Sequence, residues 1–251
     1  MRSFLLVLIF VLSFATVSFA GSLGVFDSSW TLMTAEDTVG SDGFVDPGWG
    51  GQDFDAEYLY YKYSYEADGT YLWLGLQTGF DLDDGRVYSS GKNYFSGDLA
   101  ISFDGDSGQY EYAFDFGLKT MDASLKLVEA DDNGDGFDVA GLYGNVAWNS
   151  NIDFTASSPF AMDAGDLLLS VASAEATNQL FSDSDSYARI VSFNLADIAG
   201  LNFTGLDVHW TMSCGNDVIE GDAPVPTPEP STFILFAAGG GLALWARRKK
   251  K

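Results

Sequence analysis

Asp131-Asp132-Asn133-Gly134-Asp135-Gly136 sets oxygen-bearing side chains at alternating positions ahead of a glycine. That is the first half of a calcium loop, in which spaced oxygens converge on a hard cation and the glycine permits a sharp bend. A helix–loop–helix calcium site needs a bidentate acid at the twelfth position, and here that position is Leu142. Asp138 can stand in, so Asp131, Asn133, Asp135 and Asp138 are the expected ligands of a calcium ion. The competing reading is an acidic turn with no ion, because Asp, Asn and Gly favour turns for backbone reasons alone. Asp53, Asp55 and Glu57 form a second acidic group. On a strand they would share one face and repel unless exposed or bridged by a cation. Asn216, Asp217 and Glu220 could join them if the two ends of the domain approach.

Aromatic rings offer a different chemistry, stacking against the C–H faces of sugars. Most of the tryptophans read as core. Trp49 sits in the glycine-rich run Gly48-Trp49-Gly50-Gly51 and is the expected exposed ligand-binding ring. Catalysis has little to work with. His209 is the only histidine and Cys214 the only cysteine, too few for a zinc site. There is no G-x-S-x-G elbow for a serine nucleophile. No enzyme activity is expected, and Cys214 reads as a buried thiol without a disulfide partner in the chain.

The elements that must position these residues alternate with period two. Leu99, Ile101 and Phe103 alternate with Asp98, Ala100 and Ser102; Tyr110, Tyr112, Phe114 and Phe116 alternate with Glu111, Ala113 and Asp115. Val191, Phe193 and Leu195 follow the same rule, as do Leu206, Val208, Trp210 and Met212. Each set gives one apolar and one mostly polar face, as when one side of a sheet packs on a core. Residues 56–65 and 70–78 are apolar on both faces and read as central strands, or as strands with an aromatic ligand-facing side, joined by a tight Asp68-Gly69 turn. Further strands are expected at 124–129, 139–148 and 166–172, and one helical turn at 195–199. The fold class predicted is all-β, an antiparallel β-sandwich of jelly-roll or immunoglobulin-like type, in one domain over 21–221.

Both ends of the chain read as processing signals. Met1-Arg2, an apolar run over 4–14 and Ser18-Phe19-Ala20 make a secretory signal peptide at 1–20. Residues 222–230 read as a proline-rich linker, 231–246 as a short transmembrane helix, and Arg247, Arg248, Lys249, Lys250 and Lys251 as a basic cytoplasmic tail. The apolar run is shorter than the roughly 20 residues of a full span, which snorkelling and local thinning accommodate. From residue 21 to Ala246 six basic residues face 36 acidic ones, a net charge of −30. Such a surface repels nucleic acid and anionic lipid headgroups. It suits cations, neutral sugars or basic partners, or serves solubility alone.

Pro228, Glu229 and Pro230, the apolar stretch and the terminal cations together resemble the PEP-CTERM sorting domain. The resemblance covers about the last 25 residues. It implies a protein exported through the secretion translocon, trimmed by signal peptidase and held transiently in the inner membrane. An exosortase would then remove the tail and leave the protein at the cell surface or outside the cell. Because exosortase systems usually accompany exopolysaccharide, it also implies a structural or adhesive role in a biofilm. A looser resemblance links the domain to carbohydrate-binding family 9 and DOMON-like sandwiches. It rests on 55–60 with 71–76, on 97–104, on 187–195 and on 209–217; residues 119–183 align with no known pattern. Members of those superfamilies bind sugars, haem or metal ions, so this resemblance implies a carbohydrate- or calcium-binding module as the alternative.

Overall fold

Thirteen strands and three short 3-10 turns make up the described residues of the computed structural model, which are 22–36, 48–106, 108–131, 134–183 and 185–226. The expected signal peptide, transmembrane segment, sorting motif and basic tail lie outside them, as does Asn133. Among the described residues no helix is long and apolar enough to cross a membrane.

Strands β1 (Thr31–Ala35), β2 (Ala56–Tyr65), β3 (Thr70–Thr78), β4 (Arg86–Ser89) and β5 (Lys92–Phe95) come first. Then follow β6 (Leu99–Ser102), β7 (Tyr112–Asp115), β8 (Gly141–Asn149) and β9 (Ala161–Ser170). The chain closes with β10 (Ala176–Ser182), β11 (Tyr187–Asn194), β12 (Leu206–Thr211) and β13 (Val218–Ala223). One sheet has the order β1-β2-β3-β11-β10 and the other β13-β12-β6-β7-β8-β9, while β4 and β5 form a separate hairpin. Both sheets are antiparallel throughout. The all-β expectation therefore holds.

The alternating residues meet between the sheets. Leu72, Leu74 and Leu76 of β3 and Val191 and Phe193 of β11 share one core with Leu99, Ile101, Phe114, Leu142, Val208 and Trp210 of the second sheet. Trp210 is fully buried, sits edge-on to Phe80 at 6.0 Å, and donates from its indole N–H to the Gly97 carbonyl at 3.1 Å. The 2.0-residue period thus delivers one continuous apolar layer, as aligned sheet packing requires.

The tyrosine-rich strand β2 is central, between β1 and β3. Its outer side is covered from within the chain. Phe26 stacks on Tyr60 with ring centroids 4.2 Å apart, and the Lys62 ammonium lies 4.4 Å from the Trp30 ring and 4.7 Å from the Trp73 ring. Gly75 makes this cover possible: a Cβ there would stand 2.3 Å from Phe26 Cε1.

Two expectations are corrected. Residues 124–129 form no strand; Ser124 and Lys126 instead give their backbone N–H groups to the Asp122 carboxylate, closing a tight loop. Strands β1, β4, β5, β10 and β13 carry too weak an alternation to be read in advance. The last of them runs to Ala223, into the stretch read as linker, because Ala223 pairs with Leu206. The half-turn expected after β11 is present as the 3-10 turn Leu195–Asp197, capped by the Asn194 side chain.

Substituting Gly75→Ala should lower unfolding free energy in urea by about 1–3 kcal/mol, the usual cost of overpacking. In a Phe26→Ala background the same change should be close to neutral.

Candidate functional site

The polar faces of β6 and β7 do not meet solvent. Leu99 pairs with Phe114 and Ala100 with Ala113, so one step along the same register Asp98 stands opposite Asp115. Both carboxylates point to the outer side of the second sheet, away from the main core. There Glu129, from the loop between β7 and β8, joins them. Asp98 is 2% exposed, Asp115 0% and Glu129 7%, and one carboxylate oxygen from each lies within 4.8 Å of the others. A patch of Ala113, Tyr143 and Met162, with Ala130, Val146 and Trp148 against it, seals the neighbouring surface.

Donors offset only part of this charge. Asp98 accepts from the Met162 N–H at 2.9 Å, Asp115 from the Gly117 N–H at 2.5 Å, and Glu129 from the Thr120 hydroxyl. Oδ2 of Asp115 and Oε2 of Glu129 are buried with no hydrogen-bond partner. Burial pushes the Asp98 carboxyl up to about 7 and that of Glu129 up to about 11. Asp115 is raised well above the carboxylate range by burial and by the Asp98 charge. Asp138 lies near enough that its charge raises all three further.

A second acidic group joins the two ends of the domain. Glu36, Asp55 and Asp217 each bring a carboxylate oxygen within 4.8 Å of the others. Asp217 accepts from the Ala56 N–H at 2.7 Å, a bond between the first and second sheets, and from the Val218 N–H at 2.8 Å. The expected approach of Asp217 to Asp55 is therefore seen. The shared face expected for Asp53, Asp55 and Glu57 is not. Asp53 is exposed in the 3-10 turn Gln52–Phe54, and a register shift between Ala56 and Tyr58 turns Glu57 elsewhere. Glu57 accepts from Gln52 and Ser186 at 2.7 Å and from Gln77 at 2.5 Å, and burial raises its pKa.

Of the residues read from sequence as a calcium loop, Asp131, Asp135 and Asp138 are described. Asp131 accepts from the Gly136 N–H at 2.6 Å and Asp135 from the Phe137 N–H at 3.1 Å, closing an acidic turn on itself, while Asp138 faces the buried trio. Trp49 is 68% exposed, with its carbonyl held by the Asn216 amide. Elsewhere Tyr110, Glu111, Tyr112, Asn145, Val146 and Trp148 line an open groove of about 960 Å³. The Trp148 indole is fixed there by donating to the Tyr110 carbonyl at 2.7 Å. Cys214 is buried, and burial pushes its thiol up to about 12.

His209 has structural partners on both ring nitrogens. Nε2 lies 2.7 Å from the Pro159 carbonyl and Nδ1 2.9 Å from Glu220 Oε1, and the ring is 0% exposed. The histidine holds the Glu220 carboxyl below its ordinary 4.5. A depressed carboxylate contributes stability above its unfolded pKa and loses it as pH falls through the folded one. His209→Phe should cost about 1–3 kcal/mol at neutral pH by stranding the buried carbonyl. The gap between variant and native protein should narrow as urea titrations are taken below pH 4.5.

No curated protein and no solved structure matches the chain. Residues 226–251 match the family model described as the PEP-CTERM protein-sorting motif. The chain therefore carries a PEP-CTERM sorting motif, the mark of an exported protein handled by an exosortase.

Proposed function

We propose that the folded unit is a structural or adhesive component of the cell surface or extracellular matrix, delivered there by exosortase processing and linked to exopolysaccharide. The observation that carries this reading is the sorting match beginning at residue 226, three residues beyond the last strand of an acidic all-β unit. In this reading 1–20 is removed by signal peptidase after passage through the translocon. Residues 231–246 anchor the chain briefly in the inner membrane, with Arg247 to Lys251 on the cytoplasmic side. Cleavage near Pro228-Glu229-Pro230 then frees the domain. No catalytic step is assigned: the single imidazole is enclosed between a carbonyl and a surface carboxylate.

Replacing Pro228, Glu229 and Pro230 together by alanine in the native host tests it. The unaltered protein should be recovered outside the inner membrane with a mass lacking the tail. The variant should stay in the membrane fraction with 231–251 intact. Equal masses and equal distribution would overturn the assignment.

The aromatic groove favours a second reading, a carbohydrate-binding module. Tyr110, Tyr112 and Trp148 line it together with Glu111 and Asn145, the mixture of aromatic and polar groups that sugars require. If this holds, binding to exopolysaccharide from the host should fall at least tenfold in Trp148→Ala and remain unchanged in Trp49→Ala, read by isothermal titration.

A further inference from the structure

We propose that Asp98, Asp115 and Glu129 bind a calcium ion that fastens the loop around Glu129 to the outer face of the second sheet. Three observations converge on a cation. The oxygens lie within 4.8 Å of one another, so a single ion can touch all three. Asp115 and Glu129 are at least nine-tenths buried, and each keeps one oxygen with no hydrogen-bond partner. Neither of those oxygens accepts a hydrogen bond from a donor among the described residues. A bare set of carboxylates in this surrounding would be strongly disfavoured, because burial and mutual repulsion act in the same direction.

The donor set identifies the class of ion. All ligands are carboxylate oxygens, with neither imidazole nor thiolate among the trio, which selects a hard cation. Magnesium holds several of its waters and demands a tight octahedron, whereas calcium accepts six to eight oxygens in irregular arrangements. A site enclosed to this degree, built from two strands and a loop, suits the latter. Asp138 stands outside this group of oxygens, though near enough that its charge raises all three. Asp115 is held on β7 by strand pairing, Asp98 stands immediately before β6, and Glu129 arrives on the loop between β7 and β8. The ion would therefore act as a clasp, not as a catalytic centre.

The full-length chain, purified in detergent and stripped with a chelator, provides the test. Added calcium should raise the thermal midpoint. Above the dissociation constant each tenfold increase in free calcium should raise the folded-to-unfolded ratio about tenfold. Magnesium at equal concentration should do far less. Asp115→Asn combined with Glu129→Gln should abolish the calcium response, while Asp131→Ala combined with Asp135→Ala should preserve it. Should the first double variant fail to fold, terbium luminescence gives an independent reading. Tyr143 feels the charge of Asp115, Asp98 and Glu129, so exciting tyrosine should sensitise bound terbium, calcium should quench the signal by competition, and Tyr143→Phe should lose most of the emission while keeping the calcium-induced midpoint shift. A native chain whose midpoint ignores millimolar calcium, or a response that survives in the Asp115→Asn, Glu129→Gln protein, would overturn the proposal.

Discussion

Two aspartates facing each other on neighbouring strands are a liability in any sheet, since like charges directly opposite destabilise the pair. In most antiparallel sheets water absorbs that cost, because the polar face is exposed. Here Asp98 and Asp115 are sealed from solvent and a third acid is delivered onto them. Much of the 117–140 segment is organised around this constraint. The Gly117 N–H, the Thr120 hydroxyl and, from β9, the Met162 N–H all donate into the trio. Three donors against three carboxylates offset a fraction of the charge, and the arrangement retains the segment only if the remainder is neutralised by protons or by a cation. Neutralisation and closure of the segment are thus one event.

The same coupling recurs, more mildly, where the sheets are joined at their edges. Asp217 ties the turn between β12 and β13 to the start of β2 through the Ala56 N–H, and Thr211 donates to the Asp217 carbonyl at 2.5 Å. Gly48 approaches Asn216 so closely that a Cβ would stand 2.4 Å from its Cα. Beginning and end of the domain are locked by polar contacts instead of a disulfide, consistent with a chain whose single thiol is buried.

How far the sequence could be read follows from the range of the forces involved. The extents of β2 and β3, the turn between them, the inward residues of β6, β7 and β12, and the turn after β11 are written in local alternation and turn chemistry, and they stand where expected. The hairpin β4-β5 and the edge strands β1, β10 and β13 are set by partners distant in sequence, so short windows carry little trace of them. The trio is harder still. Asp98, Asp115 and Glu129 have no motif spacing; they meet only because two strands pair and an irregular segment folds back. One signal was available. The supposedly wet face of β6 and β7 carries Ala100, Ser102 and Ala113 beside the aspartates, and small residues on a solvent face are better explained by something lying on top. The run over 131–136, by contrast, suggests calcium through composition, and among its described residues Asp131 accepts from the Gly136 N–H.

The position of the last strand bears on how a sorting tail can be removed without harm. Strand β13 is an edge strand, yet it pairs along its length with β12 from Val218 to Ala223 and buries Ile219 in the shared core. The backbone is held one residue further, where the Tyr63 hydroxyl donates to the Pro224 carbonyl at 3.1 Å. Every ladder hydrogen bond of the closing strand is therefore complete before the matched motif begins at 226. Prolines at 224, 226, 228 and 230 cannot donate to an extension of that ladder. Among the described residues, the strand pairings and core contacts of β13 all lie ahead of the matched motif, which is the physical requirement that removal of a tail places on a folded domain.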